Sequence, residues 1–214
     1  MLPKIIKPML AQTAKSPFDS EDHLFEIKWD GIRCVAFVET GVLRLQSRHG
    51  IEMTRQFPEL SSLRRLPSGT VLDGELVVLK GGKPCFCEMQ RRAHLQSRPL
   101  INLVSDSTPV TYMVFDLLYL RGKPVMTAPL TVRRQALEAL LCPMLLPGVL
   151  VPEGIIGNGR VFFRQIAQQG LEGIVAKRLD SPYLPGRRSP AWRKLKVSAI
   201  AGANKAISHR NPAH

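Results

Sequence analysis

Cysteine is scarce in this chain of 214 residues, acidic residues are outnumbered, and no long apolar run occurs. The four cysteines are Cys34, Cys85, Cys87 and Cys142. Cys85 and Cys87 lie too close together for the usual zinc-ligand pair, and no second pair matches them. Neither structural zinc nor a disulfide is therefore expected. Cys34 and Cys142 stand in apolar contexts and read as buried thiols. No apolar run reaches the roughly 18 residues that a membrane helix needs. The longest apolar cluster, around Leu137 to Leu150, is broken by Cys142-Pro143 and Pro147-Gly148. Lys4 and Lys7 are followed by no apolar h-region, so the expectation is a cytoplasmic chain with no secretion signal and no membrane partner. Internal repeats and low-complexity tracts are absent as well.

Asp and Glu number 17 against 30 Lys and Arg, a formal net charge of +13. Past Asp180 there is no acidic residue at all, while Arg187, Arg188, Arg193, Lys194, Lys196, Lys205 and Arg210 follow. That asymmetry favours a polyanionic partner, nucleic acid most simply; the plainer alternative is a solvated basic face.

The remaining composition, 44% hydrophobic and 22% charged, is that of a globular domain with enough chain for a sizeable core. Strands are expected over Leu24–Lys28, Cys34–Glu39, Val42–Ser47, Thr70–Leu79, Val110–Tyr119 and Gly173–Lys177. Thr40-Gly41 and Gly81-Gly82-Lys83-Pro84 read as hairpin connections between them. Helices are expected at Cys87–Arg92, at Val132–Leu141 with Thr131 as its cap and Pro143 ending it, and at Arg160–Gln169 with Gly170 as its C-cap. Hairpins interspersed with helices make an α+β fold. Residues 1–197 form the domain, and 198–214 read as a loose basic tail.

The chemistry begins at Lys28-Trp29-Asp30-Gly31-Ile32-Arg33. An amine, a carboxylate, a turn glycine and a guanidinium fall within one strand–turn–strand unit. A lysine at the end of a strand can be held rigidly enough to act as a nucleophile. Asp73-Gly74-Glu75 interrupts an apolar strand with two carboxylates, which need cations or donors if buried; the alternative is a turn at Asp73-Gly74. Glu172 precedes a second apolar strand that ends in Lys177, and a carboxylate pair suits Mg²⁺ with phosphate oxygens. In the strand Trp192-Arg193-Lys194-Leu195-Lys196, the two lysines share one face. They repel each other unless an anion lies between them, a phosphate most naturally; the alternative is an exposed basic strand. Phe115, in an apolar strand, reads as core or as a stacking surface for a base.

In order and content these motifs resemble the covalent nucleotidyltransferases, and among them the adenylation domain of ATP-dependent DNA ligases. Lys28-Trp29-Asp30-Gly31-Ile32-Arg33 looks like the nucleophile motif and Ser47-Arg48-His49-Gly50 like the short arginine motif, with His49 where asparagine is common. Asp73-Gly74-Glu75, Phe115-Asp116-Leu117-Leu118, Glu172–Lys177 and Trp192–Lys196 resemble the rest. The segments Lys7-Pro8-Met9-Leu10-Ala11, Phe86–Arg92 and Asp180–Ser189 are most similar to the ligase domain of bacterial end-joining ligases.

The resemblance implies two antiparallel sheets with flanking helices and an ATP-grasp-like cleft between them. It implies Lys28 as the nucleophile that forms lysyl-AMP. Glu26 would help recognise the adenine, Phe115 would stack on it, and Ile27 would belong to the same cofactor-binding site. Arg33 and Glu75 would hold the ribose, Arg48 the 5′-phosphate of a nick, and Lys177, Lys194 and Lys196 phosphate oxygens. Glu75 and Glu172 would contact Mg²⁺ or Mn²⁺. Nicked or broken double-stranded DNA is the implied substrate, and a Ku-like end-binding protein or an OB-fold domain in trans are the implied partners. Family ligases continue into an OB-fold domain. The residues after Val197 are too few for a five-stranded barrel, so slow self-adenylation and weak DNA affinity are expected. The other readings are an RNA ligase or capping-type nucleotidyltransferase, and a nick-binding module without catalysis.

Overall fold

The computed structural model describes residues 2–200. Two sheets lie face to face. The five-stranded sheet runs, edge to edge, Leu10–Thr13, Arg188–Lys196, Gly173–Arg178, Ser20–Ile27 and Gly154–Gly157. The seven-stranded sheet takes Val42–Ser47, Ile32–Glu39, Thr70–Lys80, Val110–Leu120 and Lys123–Pro124 in that order, with Lys83–Pro84 and Val149–Leu150 as short additions. The pairing is antiparallel except at Leu10–Thr13 against Arg188–Lys196 and Val149–Leu150 against Val110–Leu120, which are parallel.

Period-two alternation sorts each strand into faces. In Ile32–Glu39, residues Cys34, Ala36 and Val38 join the outer core, which Leu60, Leu63, Met89, Leu137 and Leu141 cover. Val35 and Phe37 turn inward to meet Trp192 of the facing sheet, with Met9 and Tyr183 from the segments that lead into its strands. The outer face of the five-stranded sheet presents Phe25, Ile174, Ala176 and Leu195 to Phe163 and Ile166 of the helix Gly159–Gln168. Each Val, Leu, Ile, Phe or Met among them contributes roughly 1.5–3 kcal/mol on burial. The layers are therefore helix, sheet, sheet, helices.

Several local expectations change. The helix Leu130–Leu141 starts after Pro129, and Thr131 makes no capping bond. Proline at the N-cap and a backbone bond from Thr131 N to Leu179 O take the place of a side-chain cap. Cys142, expected buried, is exposed, because the chain leaves the helix there in a single 3₁₀ turn. Arg98–Ser107 is a helix that its Pro99 and mixed polarity hid, and Pro58–Arg65 is a 3₁₀ helix. Asp73-Gly74 is no turn: Thr70–Lys80 runs through it. Residues 197–200 are helical, and the expected tail from 201 on lies outside the described residues. Among the described residues no helix is long and apolar enough to cross a membrane.

Candidate active site

Where the two inner faces part, they enclose a cavity of about 460 Å³. Its walls include Glu26, Ile27, Lys28, Arg33, Arg48, Glu75, Phe115, Lys177, Lys194 and Lys196. Ten of the eleven residues singled out in the sequence thus meet in one space. Glu172, the eleventh, touches two of the wall lysines.

Strand alternation explains the convergence. Cross-strand neighbours Glu26, Val175 and Lys194 form one row on the inner face, and Leu24, Lys177 and Trp192 form the next. Opposite them, Arg33 sits in register with Glu75. Phe115 reaches the cavity through a β-bulge. Gly74 pairs with Val114 and Asp73 with Asp116, which leaves Phe115 unmatched and swings its ring inward.

Two motif glycines are required by close backbone approach. A Cβ on Gly31 would lie 2.1 Å from the Leu76 carbonyl oxygen. One on Gly173, whose φ is +152°, would lie 1.9 Å from that of Leu195. The second approach matters for chemistry, because the Lys28 N–H donates to the Gly173 carbonyl at 2.9 Å. That bond sets Lys28 beside Glu172.

The Lys28 ammonium donates to Glu172 Oε2 at 2.5 Å, and Lys196 Nζ lies 2.7 Å from Oε1. The anion near Lys196 is thus a carboxylate of the protein itself. Burial alone would raise the Glu172 carboxyl, but hydrogen bonds from Lys196 and Lys28 hold it below the ordinary range. Lys194 has no carboxylate partner among the described residues. Burial, then the charges of Arg188, Lys196, Lys28 and Arg48, lower its pKa. Arg48 stands exposed on the cavity wall in the turn after Val42–Ser47, and Arg188 lines the same wall.

A second ionic group surrounds Phe115. Lys177 is expected beside phosphate, but the structure buries its ammonium, pairs it with Glu26 and sets it 4.0 Å from the Phe115 ring centre. Burial lowers the Lys177 pKa, and Glu26 opposes that. Arg134 Nη1 takes the other Glu26 oxygen at 3.1 Å, so both oxygens of this expected adenine ligand are engaged. Arg33 stands 4.6 Å over Phe115 and grips Asp73 through two hydrogen bonds of 2.6 Å. Asp73, Arg134 and Tyr183 carried no assigned role in the sequence. Only the Asp-Gly-Glu interruption flagged the first of them.

Glu75 makes no side-chain hydrogen bond among the described residues. Burial, outweighing Arg33 and Lys28, pushes its carboxyl up to about 7. Glu172 adds to that rise, and it also lifts Asp30 after burial has done so. These carboxylates fit a divalent cation that brings its own ligands. No three His, Cys, Asp or Glu side chains are grouped to hold one alone among the described residues. Mg²⁺ needs only one or two carboxylates when phosphate oxygens complete its shell.

Comparison with known proteins gives the following. The family described as ATP dependent DNA ligase domain matches residues 8–196. The SPbeta prophage-derived DNA ligase-like protein LigB of Bacillus subtilis (strain 168) is 38% identical over 191 residues, covering 89% of this chain and 67% of that protein. The multifunctional non-homologous end joining protein LigD of Mycolicibacterium smegmatis is 36% identical over 199 residues, 91% of this chain but 24% of LigD. The solved structure of mycobacterial DNA ligase D complexed with ATP and MES superposes with a TM-score of 0.76 at 34% identity, covering 92% of this chain and 62% of that one. The ligase domain of LigD from M. tuberculosis gives 0.74 at 36% identity, covering 89% and 60%. The chain thus spans about a quarter of LigD and two thirds of LigB.

Proposed function

This chain belongs to the family of ATP-dependent DNA ligase domains, and we propose that its cavity binds ATP and that Lys28 becomes adenylylated there. The Lys28 amine attacks the α-phosphorus, the bond to the β-phosphate oxygen breaks, pyrophosphate leaves and the amine gives up a proton. A 5′-phosphate oxygen at a DNA nick then attacks the lysyl-AMP phosphorus, and the lysine leaves. The 3′-hydroxyl last attacks the activated 5′-phosphate, joining the strands and releasing AMP. Phosphoryl transfers of this kind need positioning and charge neutralisation more than acid–base chemistry.

The observation that carries this reading is the Glu172 carboxylate joining Lys28 to Lys196 beside a cavity wall that also bears Arg48, Arg188 and Lys194. Five cations with one carboxylate among them form an anion site of polyphosphate size. Phe115, Glu26 and Ile27 serve the base end, where Lys177 pairs with Glu26 instead of meeting phosphate. Arg33 and Glu75 serve the ribose, Arg48 the nick phosphate, and Lys194 and Lys196 the ATP phosphates. A divalent cation borne by those phosphates, held by Glu172 and Glu75, would neutralise the charge that develops on transfer.

The names of the LigD relatives carry end joining, so breaks as well as nicks are the proposed substrates. Adding a Ku-like protein or an OB-fold domain to the sealing reaction tests the proposed partners. The primary test is incubation with α-labelled ATP and Mg²⁺. Label that survives denaturation is expected on the wild type and not on Lys28→Ala. A wild type that stays unlabelled, yet seals a pre-adenylated nick, would move the function to the later steps.

A further inference from the structure

Arg33 faces the cavity from a network that extends well beyond it. Its Nε and Nη2 each donate to Asp73 at 2.6 Å, and Nη2 also reaches the Met9 carbonyl at 3.3 Å. The Tyr183 hydroxyl donates to Asp73 Oδ2 at 2.6 Å and accepts from the Met9 N–H at 2.9 Å. Tyr183, Asp73 and Met9 are buried, at 2%, 0% and 0% exposure. Three separate parts of the chain thus close a ring around one guanidinium: the segment before Leu10–Thr13, the strand Thr70–Lys80 and the loop before Arg188–Lys196.

The loop is itself fastened. Tyr183 N donates to Met126 O, Gly186 N to Lys7 O, and Arg133 Nη1 to Ser181 O. The Tyr183 ring stands edge-on to Trp192 at 5.7 Å, and Trp192 lines the cavity. Asp73 with only Arg33 could tilt, and a guanidinium on a tilting carboxylate has no fixed direction.

We propose that Tyr183 is a positioning residue: its hydroxyl locks Asp73, and through Asp73 it fixes the direction in which Arg33 meets the sugar of the bound nucleotide. The proposal rests on the reading of the cavity as an ATP site with Arg33 at the ribose. Without the hydroxyl, Asp73 Oδ2 loses one of its two donors and the Met9 N–H loses its acceptor. Arg33 keeps its charge but not its aim. Nucleotide binding then weakens and the sugar is read less sharply, while the attack by Lys28, which Tyr183 does not touch, is spared.

Tyr183→Phe keeps the ring and its packing. The expected result is an ATP concentration for half-maximal self-adenylation (KM) raised about three- to tenfold, a maximal rate constant within about twofold, and a preference for ATP over 2′-deoxy-ATP reduced by a similar factor. A uniform fall in rate with KM and sugar preference unchanged would mean Tyr183 only packs, and overturns the proposal. The second measurement needs no activity: exchange of the Arg33 Nε proton, followed by ¹⁵N NMR in wild type and variant. Exchange faster by about tenfold in Tyr183→Phe is expected, and an unchanged rate overturns the brace. Failure of the ATP reading would instead show as absent labelling in the wild type, with the exchange difference still present.

Discussion

Glu172 Oε2 accepts a 2.5 Å hydrogen bond from the Lys28 ammonium, across 144 residues of sequence. That bond holds the amine at one point on the cavity wall. The same carboxylate, at 18% exposure, meets Lys196 through its other oxygen. Glu172 therefore fixes the nucleophile and a second cavity lysine relative to one another.

Glu172→Gln should cut lysyl-AMP formation by about a hundredfold, the scale of removing one well-placed electrostatic group. Its effect on stability should stay within about 1 kcal/mol, because the pairs are partly exposed and screened. Labelling rates beside thermal melts check both. A fully active Gln variant would remove Glu172 from the chemistry.

Glu75 ties stability to pH. Its folded pKa of about 7 lies above the 4.5 of an exposed glutamate, so the folded state favours the neutral form. The stability contributed by neutral Glu75 is present below about 4.5 and is lost as pH rises toward and through 7. Glu75→Gln should therefore gain up to about 3 kcal/mol over wild type at pH 8, and nothing near pH 4.5. Melts of both proteins across that range decide it, and an equal difference at both ends would count against the assignment.

Arg33→Lys should be costly despite keeping the charge. Asp73 is fully buried and receives both arms of the guanidinium fork, which an ammonium cannot reproduce. Losing one hydrogen bond to a buried carboxylate costs about 1.5–3 kcal/mol. Denaturant unfolding measures it. A loss below about 1 kcal/mol would show that Asp73 finds other donors.

Gly31→Ala should disrupt the turn after Lys28, since the new methyl group would stand 2.1 Å from the Leu76 carbonyl oxygen. Strand Thr70–Lys80 or the turn must move, and Lys28 with it. The expected outcome is lost labelling in a protein that melts lower. Unchanged labelling would mean that the turn can shift without moving the nucleophile.

The strands were readable because their patterning is local. Cys34–Glu39 alternates between two cores, and Lys194 and Lys196 face the cavity while Leu195 between them turns to the opposite face, as a strand demands. The helix Arg98–Ser107 was not readable, because only Ile101 and Ser105 are buried on it and no apolar stripe announces it. Cys142 was misread for a related reason: an apolar neighbourhood in sequence became an exposed corner once Leu141 and Leu146 had turned into the core.

The sequence alone determined the chemistry on offer: which residues carry amines, guanidinia and carboxylates, and on which strand face each stands. The tertiary structure decided the pairing. Lys28 found Glu172, Glu26 found Arg134 at 108 residues' distance, and Asp73 found Tyr183 at 110. Alternation along a strand is set by backbone geometry and is written locally. The choice of counter-ion depends on which sheet faces which, and on how far burial weakens water's competition for each charge. Those conditions exist only once the two sheets have closed on one another.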